Sequence, residues 1–139
     1  MVEVLSLVPP EETASLTDGY APEEARAMQR AVLRLVENWK VSDADAAIIL
    51  GGIHPKTVRR WRSEEFGRVS RDLADRMSLL LGIHQALRTL FAESRRGYDW
   101  MSAANAAFGG ASALDVLRRG GMEDIVRLRR YLDATRVGG

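Results

Sequence analysis

The sequence contains no cysteine among its 139 residues. It therefore has no disulfide framework and no thiolate metal site. Every apolar run falls short of the roughly 20 residues that a membrane-spanning helix needs. The early segment VEVLSLV is too short for the apolar core of a secretory signal, carries Glu3 and has no basic region before it. These absences predict a soluble protein of the cytoplasm that does not bind a membrane.

Lysine is also scarce, with two lysines against eighteen arginines, and the net charge is only +1. A chain so close to neutral is not a general binder of polyanions. Arginine forms paired hydrogen bonds with carboxylates and phosphates, so its dominance favours anionic or protein partners. A GC-rich genome would produce the same bias. The share of hydrophobic residues, 46%, is typical of a folded domain.

The residues on which catalysis and metal binding depend are few. The two histidines, His54 and His84, stand 30 positions apart, and no H-E-x-x-H motif is present. The segment LGGIHPKT lacks the G-x-x-x-x-G-K-[ST] pattern of a phosphate-binding loop. No spacing pairs a nucleophile with a base, or one carboxylate with another. We therefore predict a protein that is not an enzyme and uses no cofactor or metal.

What the sequence does contain is a succession of helical patterns. PEEARAMQRAVLRLVENWK has Pro22 at the first helical position, glutamates in its first turn and apolar residues at helical spacing. A longer helix follows in SRDLADRMSLLLGIHQALRTLF, which Ser70 caps and in which an apolar stripe runs from Leu73 to Phe91. No segment shows the alternation of a strand bounded by hairpin signals. The predicted fold class is all-α.

Two single residues of the long helix carry further predictions. Gly82 lies mid-helix, where it costs about 1 kcal/mol against alanine. Its presence indicates that another helix approaches closely at this point. His84 is alone on the apolar stripe, and we interpret it as a hydrogen-bonded core histidine rather than a ligand.

Residues 42–63 have the pattern of a helix-turn-helix. Ser42 caps a first short helix, Gly51-Gly52 ends it, and Pro55 starts a second one. The motif needs a small residue where the helices cross, a glycine at the turn and apolar anchors on the second helix. These roles fall to Ala47, Gly51, Val58 and Trp61.

The rest of the second helix surface carries the candidate DNA-binding residues. Cations there can contact phosphates, and arginine can also hydrogen-bond to guanine edges in the major groove. The same pattern fits a helical hairpin with a solvated basic face, since Glu64 and Glu65 follow and Gly52 lengthens the turn by one residue. The candidates are Lys56, Thr57, Arg59, Arg60 and Arg62.

The C-terminal part predicts three further helices, at 99–107, 112–119 and 122–136. Two glycine pairs, Gly109-Gly110 and Gly120-Gly121, separate them, and we expect chain reversals or helix caps with positive φ there. Ser112 can cap the middle helix, and Asp115 lies in its first turn.

In their order and spacing, these blocks resemble the MbcA/ParS/Xre antitoxins, whose toxin partners have the RES fold. The resemblance covers about residues 22–136. It implies a Cro/repressor-like helix-turn-helix domain at 21–68 and a dimerisation helix with a toxin-binding domain at 69–139. Residues 1–20 lie outside the resemblance, and their Pro9-Pro10 pair and polar run predict a flexible arm. The matching blocks are TVRRWR, LADRMSLLLGIHQALRTLF, Trp100-Met101 with Asn105 and FGG, SALDVL, the second glycine pair and VRLRRYLDATR.

The resemblance also implies a function. RES toxins of this type act on nicotinamide adenine dinucleotide (NAD) or use it to modify a target, and the antitoxin blocks them without any such activity of its own. The complex commonly represses its own promoter, and such antitoxins usually dimerise. The expected partners are therefore a cognate RES-domain toxin, operator DNA and a second copy of the chain.

In similar antitoxins the C-terminal end approaches or plugs the toxin's cofactor site. Asp133 and the terminal carboxylate of Gly139 would occupy arginines there that bind the anionic pyrophosphate, and Tyr131 would pack in the mouth. A closing helix that only completes the core explains part of the same pattern. The expected toxin-binding residues are Phe108, Gly109, Gly110, Arg129, Arg130, Tyr131, Asp133, Arg136 and Gly139.

Two other functions remain open from the sequence. One is a stand-alone helix-turn-helix regulator with an oligomerisation tail and no toxin. The other is a protein-only adaptor whose helix-turn-helix has lost DNA binding. The apolar faces at 28–39 and 73–91 present more apolar surface than we expect one short chain to cover, which also predicts a homodimer.

Overall fold

The computed structural model describes residues 20–138, and the side chains of residues 20–135. The predicted flexible arm lies outside these residues apart from Tyr20. The described residues contain no strand, and the all-α prediction is confirmed. A 3-10 turn spans Ala106–Phe108, and the α-helices are α1 (Pro22–Asn38), α2 (Asp43–Ile49), α3 (Pro55–Arg62), α4 (Arg71–Leu90), α5 (Ser94–Ser102), α6 (Ala113–Leu117) and α7 (Met122–Gly138).

The long helix α4 forms the centre of the fold, because it packs against α1 and also against α7. The hydroxyl of Ser70 caps it by accepting a hydrogen bond from the backbone N–H of Leu73 at 3.2 Å, as predicted. Met77, Leu80 and Ile83 are buried in a core that continues from α1 to α7. The same helix therefore supports both halves of the molecule.

At Gly82 a side chain of α7 lies directly against α4, which confirms the predicted approach of another helix. A Cβ atom at this position would lie 1.6 Å from Nη1 of Arg129 on α7. Any side chain at position 82 would displace the Arg129 guanidinium.

The apolar faces of α1 and α4 are covered within one chain, contrary to our expectation. Within residues 20–135, Ile48 is the one large hydrophobic residue that is exposed, at 43%. The packing of α1 and α7 on α4 buries most of the apolar residues on the faces at 28–39 and 73–91. Uncovered apolar surface is therefore no argument for a dimer.

Helix α5 differs from the prediction of a helix at 99–107. It begins at Ser94 and ends at Ser102, and Asn105 then starts the 3-10 turn by accepting a hydrogen bond from the N–H of Ala107. Gly97 lowers the helix propensity of this segment, so no local signal predicted its first turn. In the fold, Gly97 is buried against Leu87 and Phe91, and this packing carries the helix through the glycine.

The glycine pairs and the Ser112 cap agree closely with the sequence. Gly109, Gly110 and Gly120 have φ of 66°, 92° and 82°, whereas Gly121 is not in this conformation. Ser112 and Asp115 form a full capping box, with hydrogen bonds of 3.0 and 3.1 Å in the two directions. The bond from the backbone N–H of Ser112 lowers the pKa of Asp115.

A buried arginine joins the two halves of the molecule. Arg76 on α4 donates from Nη1 to the carbonyl oxygens of Ile49 at 3.2 Å and Gly120 at 2.8 Å. Its Nε donates to Asp72 at 2.8 Å. Arg76 therefore ties the end of α2 to the loop between α6 and α7.

A second ion pair connects the same regions. Nε of Arg118, just after α6, lies 3.0 Å from Oδ2 of Asp45 on α2. Gly120 also packs on Ile48, where a Cβ would lie 3.1 Å from the Ile48 side chain.

None of the helices within residues 20–138 is both long enough and apolar enough to cross a bilayer.

Candidate nucleic-acid and protein interfaces

Helices α2 and α3 form the two helices of the predicted helix-turn-helix. The Ser42 hydroxyl accepts a hydrogen bond from the N–H of Asp45 at 3.1 Å, which caps α2. Gly51 and Gly52 form the turn with φ of 99° and 83°. The expected anchors Ala47, Val58 and Trp61 are all buried.

The outer face of α3 carries three exposed cations. Lys56, Arg59 and Arg60 make no ion pair with any described residue, and together with Ser63 and Glu65 they line a shallow open hollow. Thr57 is half-buried beside them. The charges of these three side chains are therefore available to an external anion.

The fourth cation of α3 has a different role. Arg62 forms ion pairs with Glu37 of α1 and, at 2.8 Å, with Asp43 of α2. The hydrogen bond to Asp43 raises the pKa of Arg62. The Arg62 charge therefore holds α3 against the two preceding helices.

Glu64 weakens the basic face less than the sequence suggested. Its carboxylate pairs with Arg30 of α1 at 2.8 Å, and this hydrogen bond lowers the pKa of Glu64. The Arg30 guanidinium also lies over the ring of Phe66, 5.0 Å from its centroid. Glu64 is thus neutralised within the fold, and Glu65 alone adjoins the three cations.

Three aromatic rings form a cluster in the C-terminal half. Trp100 of α5 stacks on Tyr131 of α7 with ring centroids 6.2 Å apart. Phe108 meets Tyr131 edge-on at 5.1 Å and Trp100 at 6.4 Å. Arg127 lies over the Phe108 ring at 5.9 Å. Phe108 is buried, whereas Trp100 and Tyr131 stay half-exposed, so the cluster reaches the surface.

The exposed glycines Gly109 and Gly110 lie directly beside this cluster. Their loop is closed by hydrogen bonds from the N–H of Gly110 to the carbonyl of Asn105 and from the N–H of Asn105 to the carbonyl of Ala111. We call the three rings together with Gly109 and Gly110 the aromatic surface. It combines apolar area with backbone that no side chain shields, which suits contact with another protein.

Comparisons with known proteins match both halves of the chain. Residues 18–82 match the antitoxin Xre-like helix-turn-helix domain, and residues 86–138 match the antitoxin Xre/MbcA/ParS C-terminal toxin-binding domain. The uncharacterized protein y4oB of Sinorhizobium fredii (strain NBRC 101917 / NGR234) is 39% identical over 108 residues, which are 78% of this chain and 83% of that protein.

The chain belongs to the Xre/MbcA/ParS antitoxin family. Both matched domains are non-enzymatic, so the antitoxin is a regulator and not an enzyme. Its partners are DNA, through the helix-turn-helix, and a toxin, through the C-terminal domain. Among its described residues, no group of three or more metal-ligating side chains is placed to hold an ion.

The antitoxin's predicted toxin-binding residues on α7 lie on different faces of that helix. Tyr131 joins Phe108, Gly109 and Gly110 in the aromatic surface. Arg129 and Asp133 instead pair with each other at 3.1 Å, and Arg129 lies against Gly82 of α4.

The remaining predicted positions are near the end of the helix. Arg130 is exposed and makes no ion pair with the described residues. The side chain of Arg136 and the whole of Gly139 lie outside the described part of the antitoxin.

His84 is not the hydrogen-bonded core residue that we expected. Its ring is half-buried beside Leu87, Gly97 and Tyr98, and its buried Nδ1 has no hydrogen-bond partner among the described residues. Burial, assisted by the nearby charge of Arg88, lowers the pKa of His84.

Two further residues of these surfaces, Trp100 and His54, were not predicted from the sequence. Trp100 was seen only as part of a family motif, although its aromatic ring is large enough to anchor a protein contact. His54 caps α3, since its Nδ1 accepts a hydrogen bond from the N–H of Lys56 at 3.0 Å. Ser, Thr, Asp and Asn are the usual N-caps, so a histidine before Pro55 gave no capping signal.

Proposed function

We propose that this antitoxin neutralises a RES-domain, NAD-consuming toxin by occluding its active site, and that it represses its own operon by binding operator DNA. The observation that carries the proposal is the presence, in one chain, of both matched domains with an available surface on each. The RES identity of the toxin is supported by the resemblance of the ordered sequence blocks. The site of action that we propose is the cytoplasm.

The DNA-binding function is supported by the charges of α3. Lys56, Arg59 and Arg60 are exposed and unpaired within the described residues, and Thr57 adjoins them. Arg62 is bound to Glu37 and Asp43, so we propose that it supports α3 without contacting DNA. Repression would follow if the operator overlaps the promoter of the antitoxin's own gene.

The toxin-binding function is supported by the aromatic surface and by the exposure of Arg130 on α7. We propose that the toxin packs on Trp100, Tyr131 and the two glycines. Beyond them, we propose that the exposed Arg130 and the end of α7 reach the toxin's cofactor site and occlude it. Asp133 contributes less to this contact, because it already pairs with Arg129.

Deletion of residues 134–139 tests the occlusion. This cut keeps the buried Leu132 and the Arg129–Asp133 pair, whereas a cut before Tyr131 would also remove core packing. We expect the shortened antitoxin to bind operator DNA as the full chain does, and to fail to rescue growth of cells that express the toxin. Full protection by a shortened protein that still binds DNA would contradict the occlusion mechanism.

The homodimer is a proposal of its own. Two-fold dimers are the commonest oligomers, and a dimer fits an operator with two half-sites. We expect the antitoxin alone to sediment as a dimer at micromolar concentration. A purely monomeric species in the same experiment would count against the dimer.

The identity of the toxin is tested by co-expression with a RES-domain protein encoded beside the antitoxin gene. We expect the two to co-purify in a complex whose measured mass contains both chains. Failure to co-purify, with operator binding intact, would instead favour a stand-alone regulator.

A further inference from the structure

We infer that His54 is a DNA-contacting residue that donates a hydrogen bond from Nε2 to an acceptor atom of the operator. The inference rests on the proposed DNA binding, which concerned the cations of α3. It adds His54 to those candidate DNA contacts, and it is based on the hydrogen bonding of the imidazole ring.

The cap of α3 selects one tautomer of the neutral imidazole ring. Nδ1 of His54 accepts the backbone N–H of Lys56 at 3.0 Å, and a ring nitrogen that accepts a hydrogen bond carries no proton. In the neutral ring the proton must then lie on Nε2. The cap thus leaves one hydrogen-bond donor in a fixed position at the start of α3.

That donor is free among the described residues. His54 is exposed, and its Nε2 has no hydrogen-bond partner among the described residues. A serine in this place would also cap the helix, but it would hold its polar atom close to the backbone. The imidazole ring places a donor nitrogen farther from the helix start.

His54 lies at the end of α3 where a helix-turn-helix contacts DNA. In a helix-turn-helix, the N-terminal residues of the second helix contact base edges in the major groove. Lys56, Arg59 and Arg60 follow along α3 with charges available to phosphates, and His54 is exposed at the start of the same helix. The acceptor is either a base atom, such as N7 or O6 of guanine, or a phosphate oxygen.

His54→Asn separates capping from DNA contact, because asparagine is among the best N-caps but does not reach as far as Nε2. Ser70→Asn at the cap of α4 is the matched control. We would measure the affinity of each protein, by fluorescence anisotropy, for a duplex from immediately upstream of the antitoxin gene and for a scrambled duplex of equal length.

We expect His54→Asn to keep the wild-type melting temperature within a few degrees and to bind the upstream duplex about 10-fold more weakly. Ser70→Asn should bind as the wild type does. If the acceptor is a base, the affinity for the scrambled duplex stays unchanged; if it is a phosphate, both affinities fall alike. Either pattern supports the contact.

Wild-type affinity of His54→Asn for the upstream duplex would overturn the inference while leaving DNA binding intact. Failure of the wild-type antitoxin itself to prefer the upstream duplex would overturn the proposed repression first, and the inference with it. Should His54→Asn fold poorly, His54→Ser repeats the comparison with another good cap, and wild-type affinity would again overturn the contact.

Discussion

Replacement of Lys56, Arg59 and Arg60 together by alanine should weaken operator binding by about 100-fold or more, since each such contact contributes on the order of 1 kcal/mol or more. All three side chains are exposed, and none of them forms an ion pair with a described residue. The dependence on salt should become weaker as well, because the slope of log affinity against log salt becomes less negative by about 0.9 for each phosphate contact that is lost. Affinity titrations at several salt concentrations measure both effects.

The control is a variant with the same change in net charge elsewhere. Arg88, Arg95 and Arg96 are exposed on α4 and α5, in the part of the chain that precedes the aromatic surface. Their triple alanine variant should keep the wild-type affinity and salt slope. If the α3 variant binds the operator as well as this control does, α3 is not the helix that contacts DNA.

Arg76→Met should lower the free energy of unfolding by about 2–4 kcal/mol. The substitution keeps much of the apolar stem, but it removes the donors to the carbonyls of Ile49 and Gly120. Those two oxygens would then be left without a strong partner beside the core. Urea denaturation followed by circular dichroism measures the change.

Arg71→Met is the matched control, because Arg71 is exposed at the start of the same helix. It should change the free energy of unfolding by no more than about 0.5 kcal/mol. Similar values for the two variants would show that the bridge of Arg76 does not stabilise the fold.

The helices and their caps could be predicted because their signals are local. Ser42, Ser70 and Ser112 each bind a backbone N–H three residues further along the chain. The role of Gly82 could also be predicted, because a glycine in mid-helix is costly and therefore indicates close packing at that position. The first turn of α5 could not be read, because Gly97 is held in that helix by Leu87 and Phe91.

The pairing of the arginines could not be predicted, because it is set by contacts between distant parts of the chain. Arg62 looked like a DNA contact, yet its partners Glu37 and Asp43 lie 25 and 19 residues away. Arg76 stands on the apolar face of α4, which was a signal, but its acceptors at Ile49 and Gly120 emerge only from the fold. Sequence patterns locate cations and do not show which are already neutralised.

The position of α4 between the two matched domains restricts how such a gene can recombine. Residues on this helix pack against α1 on one side and α7 on the other, and Arg76 touches the backbone of both halves. A crossover between the two domain segments would join a foreign α7 to an α4 that evolved with another partner. A relative that acquires a new toxin-binding domain must therefore acquire α4, with Gly82 and Arg76, in the same segment of the gene.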